Sequence, residues 1–307
     1  MASVARRLAS PVLTRGGRFS ALKTFVLALL FVPGLWLGAQ YLGQDLGARP
    51  VLALVHGTGL WALRLLVITL ALSPARALLD WPQSNAIRRM LGVGAACYAG
   101  LHLTLYCAQQ NWHLPHVAGE ILHRFYLTLG FVALLLLLTL AATSTDRSVR
   151  RLGRNWKRLH RLAYAAAVLG LVHYFLQAKA EVYQAVILAG LFVWLMAWRL
   201  VPARLRAHPA LPAVLGAIAV GGAALVEYVW YATATHVDAA RVFLANFRLA
   251  HWRPSIWVGV WCLAALGAVP LIRAAAGFVR SRGKARTGAP PLDPAGASRP
   301  QTPFIGA

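Results

Sequence analysis

Eight apolar stretches, each about long enough to cross a bilayer, restrict the fold of this chain more tightly than any other feature. They lie near residues 24–42, 51–72, 87–107, 125–143, 159–177, 182–201, 211–233 and 254–279. A segment in hydrocarbon must satisfy its own backbone, which leaves helices or a closed barrel. Uninterrupted runs such as Phe131 to Ala142 lack the alternation of barrel strands. Composition agrees, since 59% of the 307 residues are hydrophobic and 13% are charged, against roughly 25% charged in a soluble domain. The fold class is an all-α polytopic membrane protein. Pro33-Gly34 is expected to interrupt the first helix and Ser73-Pro74 to end the second.

The formal charge of +23 invites a nucleic-acid reading, but its distribution excludes one. One set of connections carries Arg6, Arg7, Arg15, Arg18 and Lys23, then Arg76, Arg88 and Arg89. The same set continues with Arg147, Arg150, Arg151, Arg154, Lys157, Arg158 and Arg161, then Arg199, Arg204, Arg206 and the basic C-terminus. The alternate connections carry Arg49, Arg124, Lys179, Arg241, Arg248 and Arg253. This bias of about four to one predicts both termini in the cytoplasm and an even number of helices. The apolar run after Arg18 is long and ends in no small-residue cleavage site, so it reads as a membrane helix rather than a signal peptide.

Histidines inside apolar runs are the chemical signal, because an ionisable group in hydrocarbon marks a functional site by default. His102 lies 13 residues beyond Arg89, and His173 lies 13 beyond His160. At 1.5 Å per residue each step is about 20 Å, so His102 and His173 are expected at one depth in the periplasmic half. His160 and Arg88/Arg89 are expected at a second depth, near the cytoplasmic boundary. On an ideal helix Arg88 shares the phase of His102 to within about 40°, whereas Arg89, and likewise His160 against His173, is about 140° off. Neutral imidazoles at matched depth on parallel helices suit haem iron. Arg88, Arg89, Arg154 and Arg158 are candidate donors for a haem propionate or a flavin phosphate. They are equally readable as topology signals, and His160 as a surface imidazole. His113, His116 and His123 fall in an expected periplasmic loop, and His208, His236 and His251 at interfaces.

Cys97, Cys107 and Cys262 form no CxxC or CxxCH pair, which removes covalent haem attachment and a cysteine zinc or iron–sulfur site. No GxGxxG follows a strand, so NAD(P)H is not expected to bind and electrons must come from another protein or a lipid-soluble donor.

At these residues the chain resembles the MsrQ family, haem-binding membrane subunits of the periplasmic methionine sulfoxide reductase system, within the ferric-reductase-like transmembrane superfamily. The matching stretches include His56-Gly57-Thr58-Gly59, Leu72-Ser73-Pro74-Ala75-Arg76, Ile87-Arg88-Arg89-Met90-Leu91-Gly92 and Leu101-His102-Leu103-Thr104. Tyr126-Leu127-Thr128-Leu129-Gly130, Thr143-Ser144-Thr145, the run from Leu152 to Tyr164 and His173-Tyr174 follow in order, so the likeness covers about residues 20–201. It implies a six-helix core binding one or two b-type haems, with His102 and His173 as ligands and His160 as a third histidine. It further implies FMN, electrons from the quinone pool, and delivery to a periplasmic molybdopterin-containing MsrP-type catalytic subunit. His56 belongs to the family's HxTG element, but the arginine that follows it in the family is Leu60 here.

The expected organisation is a basic cytoplasmic N-terminus (1–23), a ferric-reductase-like haem-binding domain (24–201), an appended helix pair (202–280) and a disordered tail (281–307). Three functions compete. They are an electron-transfer subunit of the bacterial inner membrane that is not itself the catalytic reductase, a ferric reductase with another partner, and a haem-free transporter or scaffold.

Overall fold

The structure is a computed structural model that describes residues 19–79, 84–179, 181–206, 208, 210–248 and 252–286, with residues from 275 onward as backbone. Arg6, Arg7, Arg15, Arg18, His251 and residues 287–307 lie outside the described residues. Among the described residues there are twelve α-helices and no strand. They are α1 (Ala21–Leu42), α2 (Pro50–Leu79), α3 (Ser84–Gln109), α4 (Leu114–His123), α5 (Phe125–Ala142) and α6 (Asp146–Leu152). Then come α7 (Arg154–Leu159), α8 (Leu162–Ala178), α9 (Tyr183–Leu200), α10 (Leu211–Ala234), α11 (Ala239–Ala245) and α12 (Pro254–Arg286). Eight of the segments, counting Arg154–Ala178 as one, are long and apolar enough to cross a membrane. The chain is a polytopic all-α membrane protein.

Prolines break fewer helices than the sequence suggests. α1 runs unbroken through Pro33, because the Tyr98 hydroxyl from α3 sits in the gap. It accepts from the Gly34 amide at 2.8 Å and donates to the Leu30 carbonyl at 2.8 Å, relaying a bond that the helix would otherwise make directly. α2 likewise does not end at Ser73-Pro74 but continues to Leu79 with Pro74 buried inside it. Pro74 has no N–H for the Leu70 carbonyl, and Arg199 Nη2 of α9 donates to that carbonyl instead, at 2.6 Å. The Arg199 fork also donates to Tyr164 Oη of α8 at 3.1 Å and to Leu195 O at 2.6 Å, so one guanidinium ties α2, α8 and α9.

The expected loop at 108–124 is also more ordered than a loop. Pro115 opens α4, a short helix with Val117 buried and Leu122 exposed, and Thr128 Oγ1 of α5 donates to Ile121 O at 2.6 Å. α4 marks one end of the bundle, and α6 and α7 mark the other.

α2 packs on α3, α5 on α8, and α3 against α5, giving a four-helix bundle. Its interior holds Leu66, Ala95, Leu137, Ala167 and Leu171. α9 lies beside α2 and α8, and α10 and α12 pack on α9. The α9–α10–α12 contact uses small residues: a Cβ on Gly190 would meet Val258 Cγ2 at 2.7 Å and Ala223 Cβ at 2.8 Å. At the α4 end this outer pair is closed by buried Glu227, which accepts from Arg253 Nη2 at 2.6 Å and from Asn246 Nδ2.

Candidate metal centre

His102 of α3 and His173 of α8 face each other across the bundle, with ring centres 6.2 Å apart and planes at 80°. Each ring is fixed by one hydrogen bond to the neighbouring helix. His102 Nδ1 donates to Val55 O of α2 at 2.7 Å, and His173 Nδ1 donates to Tyr126 O of α5 at 2.7 Å. A carbonyl oxygen only accepts, so Nδ1 carries the proton and Nε2 of the neutral ring keeps its lone pair. Among the described residues neither Nε2 has a hydrogen-bond partner. This tautomer, oriented through a backbone carbonyl, is the form in which histidine binds metals.

Two glycines make the seats. Gly59, four residues after Val55, leaves room for the His102 ring; a Cβ there would lie 2.9 Å from His102 Nδ1. Gly130, four residues after Tyr126, does the same for His173, where a Cβ would lie 2.7 Å from Nδ1. The two seats are copies in sequence as well: adding 71 to positions 55, 59 and 102 gives 126, 130 and 173. Each histidine lies 47 residues from the carbonyl that holds it. The bundle is thus two helical hairpins, each presenting one oriented imidazole to the other.

The pair fits a metal between its rings. If both Nε2 atoms pointed at one ion, each about 2.0 Å from it and about 1.1 Å from its own ring centre, the centres would stand about 6 Å apart, which the observed 6.2 Å allows. A small closed ion site is not what the surroundings offer. Among the described residues no group of three or more His, Cys, Asp and Glu side chains could hold a metal. Two imidazole nitrogens in an apolar bundle would suit a metal that brings its other ligands with it, as haem does.

The α6–α7 end is built differently. His160 closes α7, and a turn of three-residue bonds (Arg161 N to Arg158 O, Tyr164 N to Arg161 O) separates it from α8. The ideal-helix phase between His160 and His173 therefore does not hold. The His160 ring stacks on Trp156 with centres 3.8 Å apart, its Nδ1 faces Trp156 O at 3.1 Å, and its Nε2 faces Ser144 Oγ at 3.4 Å. Arg89 pairs with Asp146 at 2.7 Å. Arg88 is half-buried, near Tyr164, Arg199 and His160. Arg154 and Arg158 are exposed. His56 Nε2 lies 3.2 Å from the Gln177 side-chain nitrogen of α8, and His113 and His116 are ring neighbours at the start of α4.

Arg64 is a functional candidate that the histidine spacing does not reveal, although a cation in the middle of an apolar stretch is a signal by itself. It lies on α2, with Nη2 donating to Gln184 Oε1 at 3.1 Å and the guanidinium over the Trp61 ring at 4.9 Å.

Residues 58–171, which begin in α2 and end in α8, match the family model described as ferric reductase like transmembrane component. The chain is 44% identical over 194 residues to a protein of Rhodospirillum rubrum named protein-methionine-sulfoxide reductase heme-binding subunit MsrQ, covering 62% of this chain and 92% of that protein. The chain belongs to the MsrQ family. A protein of the same name from Xanthomonas campestris is 43% identical over 186 residues, covering 58% of this chain and 85% of its own length. No solved structure matches the chain. The MsrQ likeness thus takes in nearly all of the relative and leaves somewhat more than a third of this chain outside it.

Proposed function

We propose that the chain binds b-type haem with His102 and His173 as its axial ligands and carries electrons across the bacterial inner membrane. The observation that carries this reading is the matched pair of imidazoles, each oriented by a backbone carbonyl and each keeping Nε2 for a metal. The relatives' names, which specify heme binding within a protein-methionine-sulfoxide reductase, support it. Bound haem supplies one-electron redox chemistry. The chain's own part is to hold both rings in one tautomer, to keep water out with side chains such as Leu66, Leu137 and Leu171, and to span the membrane.

At the α6–α7 end, Arg88, Arg89, Arg154, Arg158 and His160 supply charge and a third imidazole for the phosphate of FMN or the propionates of a second haem. Quinol is the electron source, and a periplasmic molybdopterin-containing MsrP-type subunit, the partner in a heterodimer, receives the electrons and reduces methionine sulfoxide. Both termini lie in the cytoplasm, so the α4 end, with the His102–His173 pair, faces the periplasmic partner. The match to a ferric-reductase-like component favours, as a second reading, the same electron path ending on another acceptor.

The purified full-length chain is expected to give a reduced-minus-oxidised spectrum of low-spin b-type haem. In membranes, its reduction by a quinol analogue should be reversed by adding the molybdopterin subunit with methionine sulfoxide. A chain without haem bands would overturn the reading, and reoxidation by ferric iron but not by the subunit would move it to the second one. A periplasm-only reporter fused after residue 307 should be silent; activity there would reverse the orientation.

A further inference from the structure

Arg64 is a cation within a membrane-spanning helix, and among the described residues no carboxylate pairs with it. An isolated charge taken into hydrocarbon is costly unless an anion or strong acceptor compensates it. Gln184 offers one neutral oxygen, and the Trp61 face offers a weaker attraction. Arginine has donors only, so the Gln184 oxygen must face it, which turns the two N–H groups of that carboxamide outward. With the remaining N–H groups of Arg64, they make a cluster of donors for which the described residues supply no further hydrogen-bond acceptor.

The position of this site is set by helix direction. Side chains lean toward the N-terminus of their helix. The N-terminus of α2 is at the α4 end, so Arg64 rises from below Gly59 toward the level of the histidine pair. Gln184 stands in the first turn of α9, which starts at that same end. Tyr174, the residue after His173, lies within electrostatic reach of Arg64. His56 and Gln177 border the same junction of α2 and α8, and His56 is within electrostatic reach of His102. The donors therefore stand on the α9 side of α2, with Tyr174, the chain neighbour of His173, within electrostatic reach of Arg64.

We propose that Arg64 and Gln184 bind a propionate carboxylate of the haem held between His102 and His173, an inference that rests on the haem reading above. A planar guanidinium matches a carboxylate with two parallel N–H bonds, and the Gln184 amide adds a third donor. Arg64 is then a binding residue that sets how firmly haem is kept and at what potential, while the axial ligands set its spin state.

The test uses the full-length, haem-loaded chain carrying Arg64→Gln or Arg64→Lys, with haem labelled by carbon-13 at the propionates. Arg64→Gln should keep the low-spin spectrum but lose haem to an acceptor apoprotein roughly ten- to a hundred-fold faster, the range for one charged hydrogen bond. Its midpoint potential should fall, because a nearby positive charge favours the reduced iron. The label-sensitive carboxylate band in redox infrared difference spectra should shift. Arg64→Lys should restore the potential more fully than the band, since an ammonium is a point charge. If Arg64→Gln does not accumulate, Gln184→Leu should move retention and band in the same direction by a smaller amount. Variants with wild-type haem loss, potential and carboxylate band would overturn the site and leave the axial reading standing. A wild-type chain that binds no haem would overturn both.

Discussion

The two ends of the bundle each hold a histidine among charged or polar neighbours, yet only one end holds a pair. At the α4 end, His102 and His173 receive the same treatment: a carbonyl on the partner helix, a glycine under the ring and an Nε2 with no partner among the described residues. At the α6–α7 end, both nitrogens of His160 face oxygens of the chain itself, its ring is covered by Trp156, and Arg89 is matched by Asp146. The contrast teaches that depth in the bundle and the freedom of a ring nitrogen are separate properties. What distinguishes the pair is that, among the described residues, the backbone carbonyl is given to Nδ1 and no acceptor or donor is set against Nε2.

The strongest way to break this contrast is to remove an imidazole. His102→Ala and His173→Ala are each expected to abolish low-spin b-type haem, read as the spectrum of the purified protein. The double variant should be little worse than either alone, because the two ligands act as one unit. A single variant with a wild-type spectrum would sink the assignment. His160→Ala should leave that spectrum in place, and haem per polypeptide then reports whether the other end holds a second one.

The seats come next. Gly130→Ala and Gly59→Ala each force a methyl against an imidazole, with an expected cost of about 1–3 kcal/mol from overpacking. Gly130→Ala should be the worse of the two, since its Cβ would come within 3.0 Å of three ring atoms, at 2.7, 2.8 and 3.0 Å. Haem content and the low-spin fraction check both. Equal, wild-type loading would mean that the rings do not depend on these seats.

Away from the pair, Arg199→Met should lower thermal stability in detergent by about 1–3 kcal/mol, the penalty for an orphaned buried carbonyl. In a Pro74→Ala background, residue 74 regains an N–H for Leu70, so the same substitution should cost less. Additivity of the two changes would disprove the substitution of one donor for the other. The smallest effect belongs to Asp146→Asn. It breaks a pair whose side chains are 33% and 35% exposed, so a change of about 0–1 kcal/mol is expected in the same melts, with no loss of low-spin haem.

Much of this architecture is legible in the amino-acid sequence. Eight spans follow from hydropathy and charge, and the histidine pair from equal spacing along two helices. The details that fail share a cause, which is that a neighbour supplies what one segment lacks. Pro74 reads as a terminator only if nothing else can serve Leu70, and Arg199 lies 129 residues away from that carbonyl. Pro33-Gly34 reads as a break without the Tyr98 hydroxyl. Arg64 vanishes into the average of an apolar window because one cation hardly changes it. The phase of His160 assumes an ideal helix, and the α7–α8 turn is not one. The glycine seats lie within the family motifs, but a missing side chain gives no hint of which ring fills its place.

The 71-residue recurrence has a consequence for how the protein is made. Each hairpin contains both a histidine and the carbonyl and glycine that orient it, so each half can be finished alone as it enters the membrane. Neither half can hold a metal between two imidazoles. During synthesis the first ring must wait in its seat until α8, some seventy residues later, has been inserted. On the proposed haem reading, capture of the cofactor would be tied to completion of the second hairpin, and a chain interrupted between α3 and α8 would leave no half-built centre in the bilayer.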